Sequence, residues 1–505
     1  MNIADTLQKT AERLPDKIAY YFNDRGTTFK DLQDMSEACA FGLQESGVKK
    51  GDRAALFTFN SLEFIVAWFG LVKLGAIVIP VNVMLKGRES KYIMENAEVN
   101  ALIVHRNQVE MVNGFRFDLP FLKNIFVIGG GPEDGMATFA DICSARAPRD
   151  VTVNCAPDDV ATMIYTSGTT GFPKGAMLTH GNLYSNVRGI VTVLDLREET
   201  VRVSVTPFFH AMGLTVNILA MMMLGATTVI QAKLDFEEFL KANEKYKATA
   251  ISGAPALHYM LTSDPSTERY DLSSWKIAMS GSAPLPAEVL KKFETKFGIP
   301  MVEAYGLTEV TTLATANPYG GVRKPGSVGI PLAELEVKIF DDQDRPLPTG
   351  EIGEIVIRGP AVMKGYYNNP EATAETLKEG WLHTGDVGYL DEDGYLYIVD
   401  RKKDLIICSG YNVYPREIEE LLYTHPAVSE AAVIGVPDPK RGEIPMAFVV
   451  VRAGRHVGEE DLIQFCKDNL ASYKLIKAVR FIDALPRNPN QKILKRELRK
   501  MAQAA

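Results

Sequence analysis

Two long apolar stretches stand out in the hydrophobic pattern, residues 64–85 and 213–230, the second containing Met221-Met222-Met223. Neither reads as a membrane span. Lys73 and Pro80 interrupt the first, Asn217 and Gly225 the second, and both end in short β-rich segments. Each predicts a buried helix, a glycine stop and a strand. One helix runs into Leu74-Gly75-Ala76 before a strand at 77–79, the other into Leu224-Gly225-Ala226 before a strand at 227–230. The methionine run then fills core. One helix-to-strand pattern on either side of a motif-rich middle predicts a large domain of two similar α/β halves, with chance likeness as the alternative.

Further strands are predicted at 101–104, 161–164, 248–251 and 276–279, with a helix at 285–297, so the sheets should be largely parallel. From 334 to 357 the pattern shortens to alternating strands broken by acidic and Pro-Thr-Gly turns, which predicts a small antiparallel unit. Beyond a strand at 395–399 and the charged cluster 400–404, a helix at 417–424 and a strand at 431–436 begin a new pattern. The expected organisation is α/β plus α+β: an N-terminal domain of residues 1–402 and a small, mobile α+β lid of residues 403–505.

The 505 residues, 46% of them hydrophobic, suffice for two or three cores. Acidic residues number 63 and basic residues 55, spread along the chain for a net charge of −8, so no basic stripe suggests a nucleic-acid partner and any anion site must be local. Cys39, Cys143, Cys155, Cys408 and Cys466 lie far apart with no His at ligand spacing, which points to a reducing compartment and no structural zinc. The start, with Asp5 in it, does not read as a secretory signal, and the end is not a peroxisomal address. A cytoplasmic protein without transmembrane segments is expected, and an oligomer is compatible with all of this.

The most informative segment is residues 165–175, where Thr166, Ser167, Gly168, Thr169, Thr170, Gly171 and Lys174 follow an apolar strand. Glycines let backbone N–H groups approach phosphate oxygens, hydroxyls donate further bonds, and Lys174 adds a point charge. The lysine spacing differs from that of a Walker loop, which disfavours a P-loop NTPase. Alone, such a segment is as readily a Gly/Thr-rich surface turn.

Its company changes that. At these residues, and in the same order across nearly the whole chain, the sequence resembles the adenylate-forming superfamily of acyl-CoA synthetases, luciferases and nonribosomal-peptide adenylation domains. The resemblance implies that Gly281, Ser282 and Ala283 form a turn against which adenine lies. In the segment Glu303 to Glu309 it implies that Glu303 and Ala304 sit on the nucleotide, that Tyr305 stacks on adenine and that Thr308 bonds the α-phosphate. Glu309 would ligate Mg²⁺, a hard cation suited to one carboxylate plus phosphate oxygens. Asp386 would accept both ribose hydroxyls, supported by Arg401. The plainer alternatives are a strand followed by a helix capped by Thr308, a turn-opening Asp386 and a solvated Arg401.

The resemblance further assigns Lys403 as the hinge of the lid, and Ser409, Gly410 and Tyr411 as the coenzyme A side of the site. Lys492 matches the catalytic lysine, a mobile cation bridging the carboxylate and the α-phosphate. Relatives usually place Ser/Thr-Gly before it. Here Asn490 and Gln491 precede it, so the loop holds the lysine differently. Lys495 is the rival. His210 and Phe209, with Gly306, are assigned to the acyl pocket. His105, His180, His258, His383, His425 and His456 are read as structural or exposed.

What the resemblance implies is two-step chemistry: a carboxylate attacks ATP at the α-phosphate, expelling pyrophosphate, and coenzyme A then takes the acyl group and releases AMP. The apolar segment 310–314 and the lack of a tryptophan in 303–308 argue against acetate, since a bulky plug there would shorten the pocket; medium or long fatty acids come first, with aromatic or alicyclic acids second. A ligase loading a separate carrier protein is the nearest rival, a luciferase a weaker one, and a catalytically silent nucleotide-binding protein the rival from another class.

Overall fold

The computed structural model describes residues 2–131, 135–144, 150–166, 172–487 and 493–503. The strands that build the two large sheets come in chain order. They are β1 (Ile18–Phe22), β2 (Arg25–Thr28), β3 (Arg53–Phe57), β4 (Ile77–Pro80), β5 (Ala101–His105), β6 (Asn124–Ile128) and β7 (Ala137–Thr138). Then follow β8 (Val160–Thr166), β9 (Lys174–Thr179), β10 (Val201–Ser204), β11 (Thr227–Ile230), β12 (Ala250–Gly253), β13 (Ile277–Ser280) and β14 (Met301–Tyr305).

One sheet runs β9-β8-β4-β3-β5-β6-β7 and the other β2-β1-β11-β10-β12-β13-β14. The two orders correspond strand for strand. Within each of these runs of seven only the first pair is antiparallel, β8 with β9 and β1 with β2, and every later pair is parallel. Short antiparallel strands extend the edges, Gly365–Tyr366 on β9, and Thr315–Ala316 followed by Ile330–Pro331 on β14. The expected helix–glycine–strand units occupy equivalent places, between β3 and β4 and between β10 and β11. The helix Leu62–Lys73 ends before Gly75 at φ 68°, and the helix Ala220–Leu224 before Gly225 at φ 76°. A residue with a Cβ is strained at these angles, so glycine stops both helices. The likeness noticed in sequence is thus a repeat in topology.

Buried residues explain the layering. Along β3, Ala54 and Leu56 face a core shared by both sheets, while Ala55 and Phe57 face a second core under the helices Gly87–Asn96 and Arg106–Asn113. Parallel strands buried on both faces read as continuous apolar runs, as these do. The shared core takes in Trp68, Phe29, Leu183 and Val216, so a helical layer lies between the sheets. A third core, with Phe239, Leu261 and Phe293, covers the outer face of the β10–β14 sheet. Lys73, which argued against a membrane span, is 1% exposed, with Nζ 3.9 Å from Glu37 Oε1. Among the described residues no helix is long and apolar enough to cross a membrane.

The expected antiparallel unit is a small sheet of Glu336–Phe340, Gly353–Arg358, Trp381–Leu390 and Leu396–Arg401. After the turn Lys402–Asp404 a separate sheet forms around the hairpin of Val428–Asp438 and Gly442–Val451, packed against Pro415–Thr424 and Glu459–Asn469.

Candidate active site

The candidate residues gather where ligands bind in α/β sheets, outside the carboxyl ends of parallel strands. Tyr305 ends β14, the turn 281–283 follows β13, and His210 follows β10. Ser282 sits at φ 70°, and its hydroxyl reaches Met212 Sδ at 3.7 Å, so the turn assigned to adenine abuts the loop assigned to the acyl pocket.

Tyr305 is 8% exposed, and its hydroxyl donates to Asp386 Oδ2 at 2.6 Å. Burial, then the Asp386 charge, pushes the phenol well above its ordinary range, so it stays a donor. Asp386 and Arg401 are cross-strand partners, with Arg401 Nε 3.2 Å from Asp386 Oδ1. Three sequence-assigned residues therefore form one cluster. Asp386 is not merely a turn opener, nor Arg401 a solvated charge.

After Tyr305 the chain turns sharply. A Cβ on Gly306 would lie 1.7 Å from Thr312 O, so only glycine fits there. Residues 308–310 make a single 3-10 turn with Leu307 as its N-cap and no side-chain cap bond, so Thr308 is not the cap of a helix. Thr311 follows at φ 70°, a strained conformation for a β-branched residue, with its hydroxyl donating to Ala361 O at 2.7 Å. Thr312 and Thr215 are joined through their hydroxyls at 2.7 Å. Thr215 lies in the π-helical turn Gly213–Leu219, which ties this segment to the one beginning at His210.

Glu309 is half-buried and accepts a 2.8 Å hydrogen bond from the Tyr366 hydroxyl on Oε1. The ring of the same tyrosine lies 5.1 Å from Lys174 Nζ. Sequence reasoning missed Tyr366, because Gly365-Tyr366-Tyr367 reads as a strand fragment. Thr166 and Lys174 are opposite partners closing the antiparallel pair β8–β9. The candidate phosphate loop therefore joins two strands rather than a strand and a helix, which is not how a P-loop is built. Ser167, Gly168, Thr169, Thr170 and Gly171 lie outside the described residues.

Glu303, on the same face of β14 as Tyr305, is 5% exposed and accepts from Gly326 N at 3.2 Å through Oε1. Burial raises its pKa to about 7, opposed by that hydrogen bond and by Arg416. The adjacent Ala304 is buried, and its carbonyl lies 3.5 Å from where a Cβ on Gly281 would stand. His210 is held neutral, its pKa lowered to about 4 by burial, and its ring meets Phe209 edge-on at 4.6 Å. Of the histidines read as structural, His180 accepts from Ile3 N at 3.0 Å, His105 from Asn107 N at 3.2 Å, and His258 is hydrogen-bonded to Met279 O at 3.1 Å.

Lys403 lies in the turn Lys402–Asp404, where burial and then Arg401 depress its pKa. Ser409 and Gly410, at φ 53° and 80°, form the two-residue turn between Ile406–Cys408 and Tyr411–Val413. Tyr411 is 58% exposed and stacks on Tyr473 at 4.8 Å. Lys495, the rival for the catalytic lysine, pairs with Glu419 at 2.8 Å, both side chains 17% exposed. Lys492, with Asn490 and Gln491, lies outside the described residues.

Comparison with known proteins gives the family. Residues 7–367 match the family model described as AMP-binding enzyme, and residues 417–492 match the AMP-binding enzyme C-terminal domain. The chain is 39% identical over 521 residues to a long-chain-fatty-acid–CoA ligase of Bacillus subtilis (strain 168), covering 97% of this chain and 93% of that one. Its structure resembles the anthranilate CoA ligase AuaEII in complex with anthranoyl-AMP, with a TM-score of 0.93, 31% identity, and coverage of 100% and 98%. It also resembles MatB from Rhodopseudomonas palustris at 32% identity, covering 100% of this chain and 99% of that one. The TM-score is 0.93 for the ATP-bound form and 0.82 for the apo form. The chain belongs to the family of AMP-binding enzymes, the adenylate-forming superfamily that its motifs resemble, as an AMP-forming acyl-CoA synthetase.

Proposed function

We propose that the chain activates a medium- or long-chain fatty acid as its acyl-adenylate and passes the acyl group to coenzyme A. One observation carries the reading: Tyr305 and Glu309, four residues apart, are bound respectively to Asp386 and to the Tyr366–Lys174 pair. A single short segment then serves both the nucleoside and the phosphates of one ATP. Tyr305 stacks on adenine, Asp386 takes the ribose hydroxyls with Arg401 beside it, and Gly281 to Ala283 lie along the ring. Thr308 bonds the α-phosphate, while Thr166 to Thr170 and Lys174 handle the outer phosphates. Donors fixed before the reaction stabilise charge that develops at phosphorus.

The site fits Mg²⁺. Among the described residues no group of three or more His, Cys, Asp or Glu side chains is placed to hold a metal, and Glu309 offers one carboxylate whose second oxygen is open to a cation shared with ATP. When bound, the ion neutralises phosphate charge. Lys492 is the cation of the adenylation step. The anchoring of Lys495 by Glu419 supports that choice.

The hinge is Lys403, dividing domain 1–402 from lid 403–505, and Ser409, Gly410 and Tyr411 line the thioester side. His210, Phe209 and Gly306 border the acyl pocket. A neutral His210 adds no charge beside the carboxylate. The dispersed cysteines suit the cytoplasm. Aromatic acids are the second reading, favoured by the likeness to an anthranilate ligase. AMP release with coenzyme A, assayed across acids from acetate to long-chain and aromatic, tests the substrate class. The highest kcat/KM should fall on medium or long chains, and a preference for acetate would overturn the assignment.

A further inference from the structure

The segment around Tyr366 spans the two halves of the phosphate site. Its strand, Gly365–Tyr366, pairs antiparallel with β9, setting Tyr366 opposite Ala176, two residues from Lys174. On the other side Met363 N donates to Glu309 O at 2.8 Å. Lys364 and Tyr367 extend the strap, donating through backbone N–H to Met177 O at 2.9 Å and Gly175 O at 2.8 Å. Tyr366, 8% exposed within this strap, gives its hydroxyl to Glu309 Oε1 and its ring face to Lys174 Nζ.

We infer that Tyr366 is a positioning residue for the metal: it orients the Glu309 carboxylate for a divalent cation and keeps the Lys174 ammonium beside that carboxylate without a direct ion pair. A direct pair would satisfy both groups with each other and set them in competition with the cation and the phosphates. A neutral phenol avoids this. It donates one bond to the carboxylate, leaves the other oxygen open, and holds the ammonium over its π face. Among the described residues the two groups meet through Tyr366, Lys174 at its ring face and Glu309 at its hydroxyl. Partners of this kind around metal ligands fix the ligand's orientation and strengthen metal binding. The inference rests on the reading that Glu309 is the metal ligand.

The experiment measures Mn²⁺ binding by electron paramagnetic resonance, with the full chain and α,β-methylene-ATP, for wild type, Tyr366→Phe, Tyr366→Leu and Glu309→Gln. Affinity for the nucleotide in EDTA and the ligand-free unfolding temperature are measured alongside. Tyr366→Phe should weaken Mn²⁺ binding about tenfold while leaving the EDTA affinity and the unfolding temperature at wild-type values. Tyr366→Leu, lacking the ring as well, should also weaken binding of the metal-free nucleotide. Wild-type Mn²⁺ affinity in Tyr366→Phe, with a loss in Glu309→Gln, overturns the positioning role alone. Wild-type affinity in both overturns the metal role of Glu309 too.

Discussion

The hydroxyl of Tyr305 donates to the carboxylate of Asp386 at 2.6 Å, joining the end of a buried parallel strand to a strand of the small antiparallel sheet 81 residues away. The bond ties two structural units together at the place where the nucleoside is proposed to bind. Asp386 is held on one oxygen by this phenol and on the other by Arg401, so its position is set before any ribose arrives.

Removing the phenolic oxygen tests that link. Tyr305→Phe keeps the ring for adenine and deletes a hydrogen bond to a charged acceptor, a contribution of roughly 1.5–3 kcal/mol. The expected result is a KM for ATP raised about tenfold with little change in kcat. Steady-state kinetics varying ATP and acid separately check it. A KM rising for the acid and not for ATP would place Tyr305 elsewhere in the site.

Glu303 predicts a pH dependence of stability. Its carboxyl titrates near 4.5 in a free chain and near 7 when folded, so between those values the folded state binds more protons and stability falls as pH rises. The loss across that window is roughly 3 kcal/mol. Glu303→Gln removes the titration and keeps an oxygen for Gly326 N. Its thermal unfolding temperature should therefore gain on wild type between pH 5 and pH 8. Parallel curves for the two proteins would mean that the carboxyl is ionised when folded, balanced by Arg416.

Much of this was readable before the structure because its causes are local. Gly75 and Gly225 stop apolar helices in plain view, and strands such as β4 and β5 carry nearly unbroken aliphatic runs. The helix expected at 285–297 begins instead at Ala287, after Pro286, and the one expected at 417 begins at Pro415, where a proline suits the first turn. The strap that brings Tyr366 to Glu309 depends on pairing between distant segments and left no local trace. The closure of β8 on β9 and the approach of the Gly306 turn to Thr312 are short-range, but neither follows from apolar periodicity. The residues of the phosphate and nucleoside site were named from the resemblance to the adenylate-forming superfamily, motif by motif. Tyr366 was missed because a tyrosine in a strand fragment looks the same whether it faces core or carboxylate.

The central claim, activation of a carboxylic acid at the α-phosphate of ATP, is tested most directly by exchange of labelled pyrophosphate into ATP without coenzyme A. Wild type should exchange only when a fatty acid is present, and Lys492→Ala should lose roughly 100-fold of that rate. It should still form the thioester from supplied acyl-adenylate and coenzyme A. No exchange by wild type with any acid would contradict the account and leave a protein that binds nucleotide without using it.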